Sequence, residues 1–183
     1  EALMRSGDFL MAEEVNRKCC DMVSDILFTY HDNYIQHGLK EGIDKSKIFN
    51  VGNTIVEPLN KIRNKLIKEN SFWENPTKEH ILMDIHRPEN FKYKDRMETI
   101  FEMADKMSKE YNLPILMLEF GRTFSYIKEF GINIPDTIKV VPLMGYVNFI
   151  KAQLKSKFII SDSGTASEES PLLGIPVIVP RSF

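Results

Sequence analysis

The stretch SDSGTASEESPLLGIPVIVP, residues 161–180, sets small hydroxyl-bearing residues between two apolar runs. The letters FII at 158–160 precede it, and PVIVP closes it. A strand, a helix and a second strand in this order form the repeating unit of a parallel α/β layer. The pattern therefore predicts a strand over 157–161, a helix over 165–173 and a strand over 176–179.

The same alternation runs back to residue 80, with near-continuous apolar strands between amphipathic helices. Strands of this kind suit a sheet that is covered on both faces. Right-handed crossovers would then produce a doubly wound, Rossmann-like domain. The predicted strands are 80–85, 114–119 and 137–141, and the predicted helices are 92–111, 123–130 and 145–154.

The first part of the chain carries a shorter version of this pattern. Periodicity predicts a helix over 12–23 and a helix from Asp32, as its cap, to Lys40, with strands over 26–30 and 47–51. The turn-rich letters SFWENPT at 71–77 then interrupt the alternation. We predict an α/β chain with two Rossmann-like parallel-sheet domains, over 1–57 and 78–183, joined by an interdomain crossing over 58–77.

The composition is that of an ordinary globular protein, with 183 residues, 43% hydrophobic and 27% charged, and a net charge of -2. This balance gives no electrostatic footprint for nucleic acid, and no apolar stretch approaches membrane-spanning length. Cys19 and Cys20 are neighbours, which rarely form a bridge, so free thiols and a reducing compartment are expected. We predict a cytoplasmic protein with no nucleic-acid partner and no membrane insertion.

Polar clusters follow three of the predicted strands in the second half. They are HRPEN at 86–90, FGR at 120–122 and DSGT at 162–165. Ligands of doubly wound sheets bind beyond the carboxyl ends of the strands. We therefore expect these clusters to converge on one rim and to form a ligand site.

The DSGT cluster suits phosphate binding. Gly164 would let the backbone approach a ligand closely, and the amides of Ser163, Gly164 and Thr165 would point out of the start of the helix, where phosphate binds. Glu169 lies about one turn inside, within reach of sugar hydroxyls. The alternative is that the same polar side chains only cap the helix and that the glutamates favour its positive end.

His86 and Arg87 directly follow a strand. A histidine beside an arginine at this place suits diphosphate binding or proton transfer, although a histidine in a turn can also just hydrogen-bond the backbone. Arg122 and Arg181 also follow strands and would add positive charge to the rim, unless they are ordinary surface arginines.

Acidic side chains stand out near the start of the chain. Glu13 and Arg17 have the i,i+4 spacing of a helical ion pair. Glu1 and Glu13, if they face a cleft, could instead abstract a proton from a weakly acidic carbon. The spacing leaves both interpretations open.

Taken in order, the motifs resemble one family over nearly all 183 residues. EALMRSGD is similar to an EAGLR segment, AEEVNR to PEE-x-NR, KIFNVGNTIVEPL to a GNT stretch and HRPENF to HR-x-EN. PLMGYVNF and SDSGTASEESPLLGIPVIVPR match a nucleotide-binding end. The chain thus resembles the non-hydrolysing UDP-N-acetylglucosamine 2-epimerases, sugar-nucleotide enzymes of the GT-B fold.

The resemblance implies roles for the candidate residues. Glu1, Glu13 and His86 would be catalytic, with His86 near the diphosphate. Arg87, Ser163, Gly164, Thr165, Glu169 and Arg181 would bind the UDP-sugar, with Glu169 on the ribose. The implied chemistry is loss of the C2 proton and of UDP to give a glycal, followed by re-addition on the opposite face. It implies no cofactor and no metal, and a homodimer.

Departures from the family pattern narrow these expectations. Leu3 replaces the glycine of EAG, Phe120 replaces the histidine of an HPR segment, and DSGT replaces DSGG. The last form is similar to a branch that acts on UDP-2-acetamido-2,6-dideoxy-hexoses. Both domains are expected to be truncated, the first at its start and the second at its end. A GT-B glycosyltransferase, a hydrolysing 2-epimerase and a non-catalytic sugar-nucleotide-binding module remain alternatives.

Overall fold

Two parallel sheets organise the chain. The computed structural model describes residues 2–7, 9, 11–69 and 78–181. The chain divides between Pro58 and Leu59 into two compact units. The predicted α/β class with parallel sheets is confirmed, and the predicted helices and strands are present with small shifts at their ends. Residues 70–77 of the predicted crossing lie outside the described residues.

The first unit pairs β1 (Leu27–Thr29) in parallel with β2 (Ile48–Asn50). Helices α1 (Ala12–Val23) and α2 (Asp32–Lys40) accompany the strands, and a single 3-10 turn, Lys45–Lys47, precedes β2. Leu3, Leu27 and Ile48 form its buried core, with Tyr34 and Ile35 of α2 packed against them. A short sheet with one helix over it is the arrangement that the alternating pattern predicts.

The cap of α2 differs from the prediction. His31, not Asp32, precedes the helix in extended conformation, and its Nδ1 accepts the amide proton of Asn33 at 3.1 Å. Asp32 is therefore the first helical residue, where its negative charge still favours the positive end of the helix. Its Oδ1 accepts a hydrogen bond from Asn50 Nδ2 at 2.7 Å, so the side chain ties α2 to the end of β2.

The second unit is built on five parallel strands in the order β5-β4-β3-β6-β7. Every residue of β3 is buried, as expected for a strand covered on both faces. The strands are β3 (His80–Asp84), β4 (Ile115–Leu118), β5 (Ile138–Val141), β6 (Ser156–Ser161) and β7 (Val177–Ile178). Helix α3 (Val56–Glu69) crosses the boundary, and most of it lies in this unit. The other helices are α4 (Pro88–Phe91), α5 (Lys94–Tyr111), α6 (Gly121–Phe130), α7 (Tyr146–Lys155) and α8 (Gly164–Leu172).

Buried apolar side chains line both faces of this sheet. One cluster joins the strands to α5 and α6 and includes Met83, Phe91, Phe101 and Ile160. Another joins Leu59 and Leu66 of α3 to Ile150 and Leu154 of α7. This packing fixes the positions of the strands in the sheet and therefore the positions of the loops that leave their ends. None of the described helices combines the length and the apolar character that crossing a bilayer requires.

Candidate functional site

The order of the strands places a crevice between β3 and β6. From β3 the chain first builds outwards through β4 to β5, and it then returns to add β6 and β7 on the other side. Ligands of such sheets bind where the order reverses, beyond the carboxyl ends of the strands. Asp84 at the end of β3 lies opposite Ser161 at the end of β6, so the two strands end level with each other.

The loops that leave these strands are joined by Asp162, which is fully buried. Its Oδ1 accepts the amide proton of His86 at 2.9 Å, and its Oδ2 accepts that of Arg87 at 3.0 Å. Asn90 Nδ2 donates to the same Oδ2 at 2.9 Å and to the carbonyl of Pro180 at 3.0 Å. Of the three clusters expected to converge, HRPEN and DSGT are therefore joined by direct hydrogen bonds.

Arg181 joins the same cluster, because its Nη2 donates to the main-chain carbonyl of Asp162. It also lines an open cavity of about 320 Å³ together with Asn90, Asp95, Arg96 and Pro180. The structure thus places Arg181 at the rim, with a guanidinium nitrogen engaged in holding the loop after β6. Asn90 and Asp162 were not among the predicted site residues, although both lie inside motifs that the sequence singles out.

The start of α8 combines a side-chain cap with main-chain amides that can bind an anion. Ser163 is the N-cap, and its Oγ accepts from the amide of Ala166 at 3.5 Å. The amide of Ser163 does not point outwards as predicted, because it donates to Ser161 Oγ at 3.0 Å. Gly164 and Thr165 are the first helical residues, whose amides have no partner within the helix.

Arg87 approaches this helix start. A Cβ atom added to Gly164 would lie 3.8 Å from Arg87 Nη2, so the guanidinium sits beside the glycine. A guanidinium next to helix amides is a suitable pair of donors for phosphate oxygens. The structure therefore brings Arg87, Gly164 and Thr165 together, and Ser163 contributes through capping.

Glu169 is placed differently from the expectation for an open ribose acceptor. It is 1% exposed, and its two carboxylate oxygens accept from Tyr146 Oη at 2.7 Å and from Gln153 Nε2 at 2.9 Å. Burial raises the pKa of the Tyr146 hydroxyl, and the hydrogen bond to Glu169 raises it further. Tyr146 thus already uses one of the acceptor positions of Glu169.

His86 is held at the end of β3 by a second carboxylate. Its Nδ1 lies 2.7 Å from Asp84 Oδ1 and 3.7 Å from Asp162 Oδ1. Its ring packs on that of Phe120 with centroids 4.8 Å apart. The hydrogen bond to Asp84 raises the pKa of His86, and the two carboxylate charges add to this, while burial and Arg87 oppose it. His86 is therefore biased towards a protonated ring.

Asp84, His86 and Asp162 bring one nitrogen or oxygen atom each to within 4.8 Å of one another, a spacing that could hold a cation. Both carboxylates already accept hydrogen bonds inside the cluster. Asp84 accepts from His86 Nδ1 at 2.7 Å and from Ser161 Oγ at 3.3 Å. Because two of the donors to Asp162 are fixed main-chain amides, the donor set favours a hydrogen-bonded histidine–carboxylate cluster.

The acidic candidates of the first unit are only partly described. Glu1 lies outside the described residues. Glu13 is exposed on α1 and lines an open cavity of about 470 Å³ with Asn16, Arg17 and Cys20. The role of these carboxylates stays a prediction.

Glu14, which was not predicted as a site residue, is fully buried. Its Oε2 accepts from the amide and the hydroxyl of Ser6 at 2.9 and 3.0 Å and lies 3.6 Å from Arg17 Nη1. Burial raises the pKa of Glu14, but the hydrogen bonds from Ser6 and the charges of Lys18 and Arg5 outweigh it, so the pKa is lowered. Of the adjacent glutamates, Glu14 holds the loop before α1 and Glu13 faces outwards.

Comparison with known proteins extends the motif-based resemblance. A sequence profile of the family described as UDP-N-acetylglucosamine 2-epimerase matches residues 1–182. The chain belongs to this family. The UDP-N-acetylglucosamine 2-epimerase of Methanocaldococcus jannaschii is 33% identical over 190 residues, which cover 99% of this chain and 52% of that relative. The chain thus spans about half the length of the curated relatives it matches.

Solved structures of UDP-N-acetylglucosamine 2-epimerases share the fold. The M. jannaschii enzyme in complex with UDP-GlcNAc and UDP matches with a TM-score of 0.87 and 32% identity, over 98% of this chain and 51% of that one. Another relative, UDP-2,3-diacetamido-2,3-dideoxy-D-glucuronate 2-epimerase of Pseudomonas aeruginosa, is 28% identical over 190 residues, 99% of this chain and 50% of the relative. The epimerase relatives therefore differ in the sugar that their names state.

Proposed function

We propose that this protein is a UDP-sugar 2-epimerase, acting on UDP-N-acetylglucosamine or a 6-deoxy analogue. The observation that carries the proposal is the Asp162 clamp at the crevice between β3 and β6: the carboxylate of Asp162 accepts hydrogen bonds from the main-chain amides of His86 and Arg87. The side chain of Arg87 lies beside Gly164 at the start of α8. Positively charged groups and helix amides at such a crevice suit a nucleoside diphosphate. Membership of the epimerase family supports the choice of ligand.

The proposed reaction has two halves. A carboxylate removes the proton from C2, the C2–H electron pair forms a C1–C2 double bond, and the C1–O bond breaks with its electrons leaving on UDP. UDP then adds back to C1 of the glycal while C2 is reprotonated on the opposite face. Glu1 and Glu13 are the proposed carboxylates, by resemblance to the family. Holding UDP in place keeps the re-addition intramolecular in effect, which lowers its entropic barrier.

The diphosphate is the part of the substrate that the second unit suits. His86 and Arg87 supply donors from the end of β3, and Gly164 and Thr165 supply main-chain amides from α8. Arg181 supports the loop between them through its hydrogen bond to Asp162. Charge-assisted hydrogen bonds of this kind stabilise the extra charge that develops on UDP as the C1–O bond breaks. The scheme needs no redox cofactor and no metal.

Proton NMR of the full-length protein with UDP-N-acetylglucosamine in deuterated water tests the proposal. A new manno-configured anomeric signal with deuterium at C2 is the expected result. Release of free sugar and UDP would indicate a hydrolysing 2-epimerase, and transfer to an added acceptor would indicate a glycosyltransferase. If the C2 proton exchanges only in a 6-deoxy analogue, that analogue is the substrate. No exchange in either substrate would overturn the proposal.

The homodimer that the family resemblance implies remains a prediction.

A further inference from the structure

Asp84 is a buried acid at the end of an apolar strand. It closes β3, all of whose residues are buried, and is itself 4% exposed. A buried carboxylate is costly unless it is paired and hydrogen-bonded. Its Oδ1 lies 2.7 Å from His86 Nδ1 and its Oδ2 accepts from Ser161 Oγ at 3.3 Å. The structure thus gives this acid two partners, of which one is a candidate ligand-binding residue.

His86 is constrained on three sides. Its main-chain amide is bound by Asp162 at 2.9 Å, its Nδ1 faces Asp84, and one face of its ring packs on Phe120. When one ring nitrogen of a histidine is engaged in this way, the other is the nitrogen that meets a ligand. Nε2 is therefore the nitrogen of His86 that remains for a ligand, and the position of Nε2 depends on the contact between Nδ1 and Asp84.

We propose that Asp84 is a positioning residue for His86: its carboxylate accepts a hydrogen bond from Nδ1–H, fixes the orientation of the ring, and makes Nε2–H the donor to a diphosphate oxygen of the ligand. The identity of that ligand rests on the proposed function. The histidine–carboxylate pair does not depend on it, because it is formed by residues of one strand end and its loop.

The surrounding charges act in the same direction. Asp84 and Asp162 are the carboxylates that face the ring, and Arg87 is the opposing positive charge; the hydrogen bond to Asp84 has the largest effect, and the pKa of His86 is raised. A protonated imidazole donates from both nitrogens. It can then bind Asp84 through Nδ1 and phosphate through Nε2 at once, which a neutral ring with its proton on Nε2 cannot do.

Two substitutions of Asp84 in the full-length protein separate charge from contact. Asp84→Asn keeps an oxygen that can accept from Nδ1 but removes the charge, whereas Asp84→Ala removes both. Glu102→Gln, at an exposed position of α5, is the control for loss of one acidic charge from the second unit. Long-range proton–nitrogen NMR correlations of the histidine rings report which nitrogen is protonated. His80, at the other end of β3 with its Nε2 3.0 Å from the carbonyl of Ala152, is an internal reference.

In the wild type we expect Nδ1 of His86 to keep its proton when the ring becomes neutral, and UDP to shift the Nε2 resonance. Asp84→Asn should lower the pKa of His86, and Asp84→Ala should also release the preference for Nδ1, while His80 titrates unchanged. The kcat of Asp84→Ala should fall about tenfold or more, with a smaller change in KM, a part of what a preorganised hydrogen-bond donor to a developing charge contributes. The kcat of Asp84→Asn should lie between those of Asp84→Ala and the wild type.

Three outcomes would overturn the inference. They are a neutral wild-type His86 with its proton on Nε2, unchanged ring protonation and kcat in Asp84→Ala, or no response of Nε2 to UDP. The first is measured on the wild type alone, so it stands even if Asp84→Ala does not fold. Failure of the proposed function has a different signature, because the wild type would then exchange no C2 proton while the ring measurements still decide whether Asp84 positions His86.

Discussion

Leu3 combines a strained backbone with a buried side chain. It has φ of 60°, in the left-handed region, and its side chain is fully buried in the core of the first unit. An L-residue in this conformation costs about 1–2 kcal/mol, whereas truncating a buried leucine costs about 2–5 kcal/mol. Packing therefore outweighs strain, which explains how a leucine is tolerated where the family pattern has glycine.

Two variants of Leu3 test this balance. Both Leu3→Ala and Leu3→Gly should lower the free energy of unfolding, because both remove the buried side chain. Leu3→Gly should be the more stable of the two by about 1 kcal/mol, since glycine adopts positive φ without strain. Urea unfolding measures the difference. Leu27, in extended strand β1, is the matched control, where alanine should be the better substitute; the same order at both positions would contradict the backbone argument.

Gly164 affords a test of the phosphate site at the level of one methyl group. The φ of Gly164 is not positive and an added Cβ would meet only Arg87 Nη2 at 3.8 Å, so Gly164→Ala should not lower the stability. The methyl group would instead obstruct a phosphate at the start of α8, which should weaken UDP binding by about 1–3 kcal/mol. Titration calorimetry measures this. An unchanged UDP affinity in Gly164→Ala would remove Gly164 from the site.

At the scale of elements, α7 and α8 are linked through Glu169. Tyr146 and Gln153 of α7 occupy both oxygens of this buried acid. If a ribose hydroxyl binds Glu169, it competes with Tyr146 for one oxygen. Contact between Glu169 and the ribose would therefore require the hydroxyl of Tyr146 to move or to share the carboxylate.

Tyr146→Phe tests this competition. Removing the hydroxyl leaves Glu169 with an oxygen that only the ligand satisfies, so UDP should bind more tightly, by about 1 kcal/mol, the net worth of one hydrogen bond. Titration calorimetry on the wild type and the variant reports the change. Glu169→Gln, which weakens the acceptor, should act in the opposite direction. Weaker UDP binding in Tyr146→Phe would indicate that Tyr146 supports the ligand site.

Much of this architecture could be predicted from the sequence, and the exceptions have physical reasons. Strands such as β3 and β6 are recognisable as apolar runs in the sequence, and the right-handed crossover rule limits how they can be connected. The role of Asp84 could not be predicted from the sequence, because a single acid near the end of an apolar run indicates only where the strand ends. Its hydrogen bond with His86 is visible only in the structure. The partners of Glu169 were hidden for another reason: Tyr146 lies on a helix that is distant in sequence.

At the scale of the whole molecule, each unit has its own polar anchor. In the first, Arg5 donates from Nε and Nη2 to the two oxygens of Glu41 at 2.8 and 2.7 Å and from Nη1 to Asp21 at 2.8 Å. In the second unit, Asp162 holds the loops after β3 and β6 together through its hydrogen bonds with His86, Arg87 and Asn90. The first anchor joins loop, α1 and the end of α2 through charges, so its strength depends on pH.

Acid should weaken the first anchor once the pH falls low enough to protonate Glu41. The hydrogen bonds from Arg5 lower the pKa of Glu41 below its ordinary value of 4.5, more than burial raises it. A depressed pKa contributes stability above the unfolded-state value, and this is lost as pH falls through the lower folded-state pKa. We expect the urea midpoint of the wild type to fall more steeply below pH 4.5 than that of Glu41→Gln. Parallel profiles would contradict this role of Glu41.

The Asp162 clamp has a consequence for how such a protein can change over time. It holds the loop after β3 through the main-chain amides of His86 and Arg87, and amides are present whatever side chain follows. The path of the loop therefore does not depend on which side chains the loop carries at these positions. Substitutions at these positions can therefore change the groups that the loop offers to a ligand without changing the backbone that carries them.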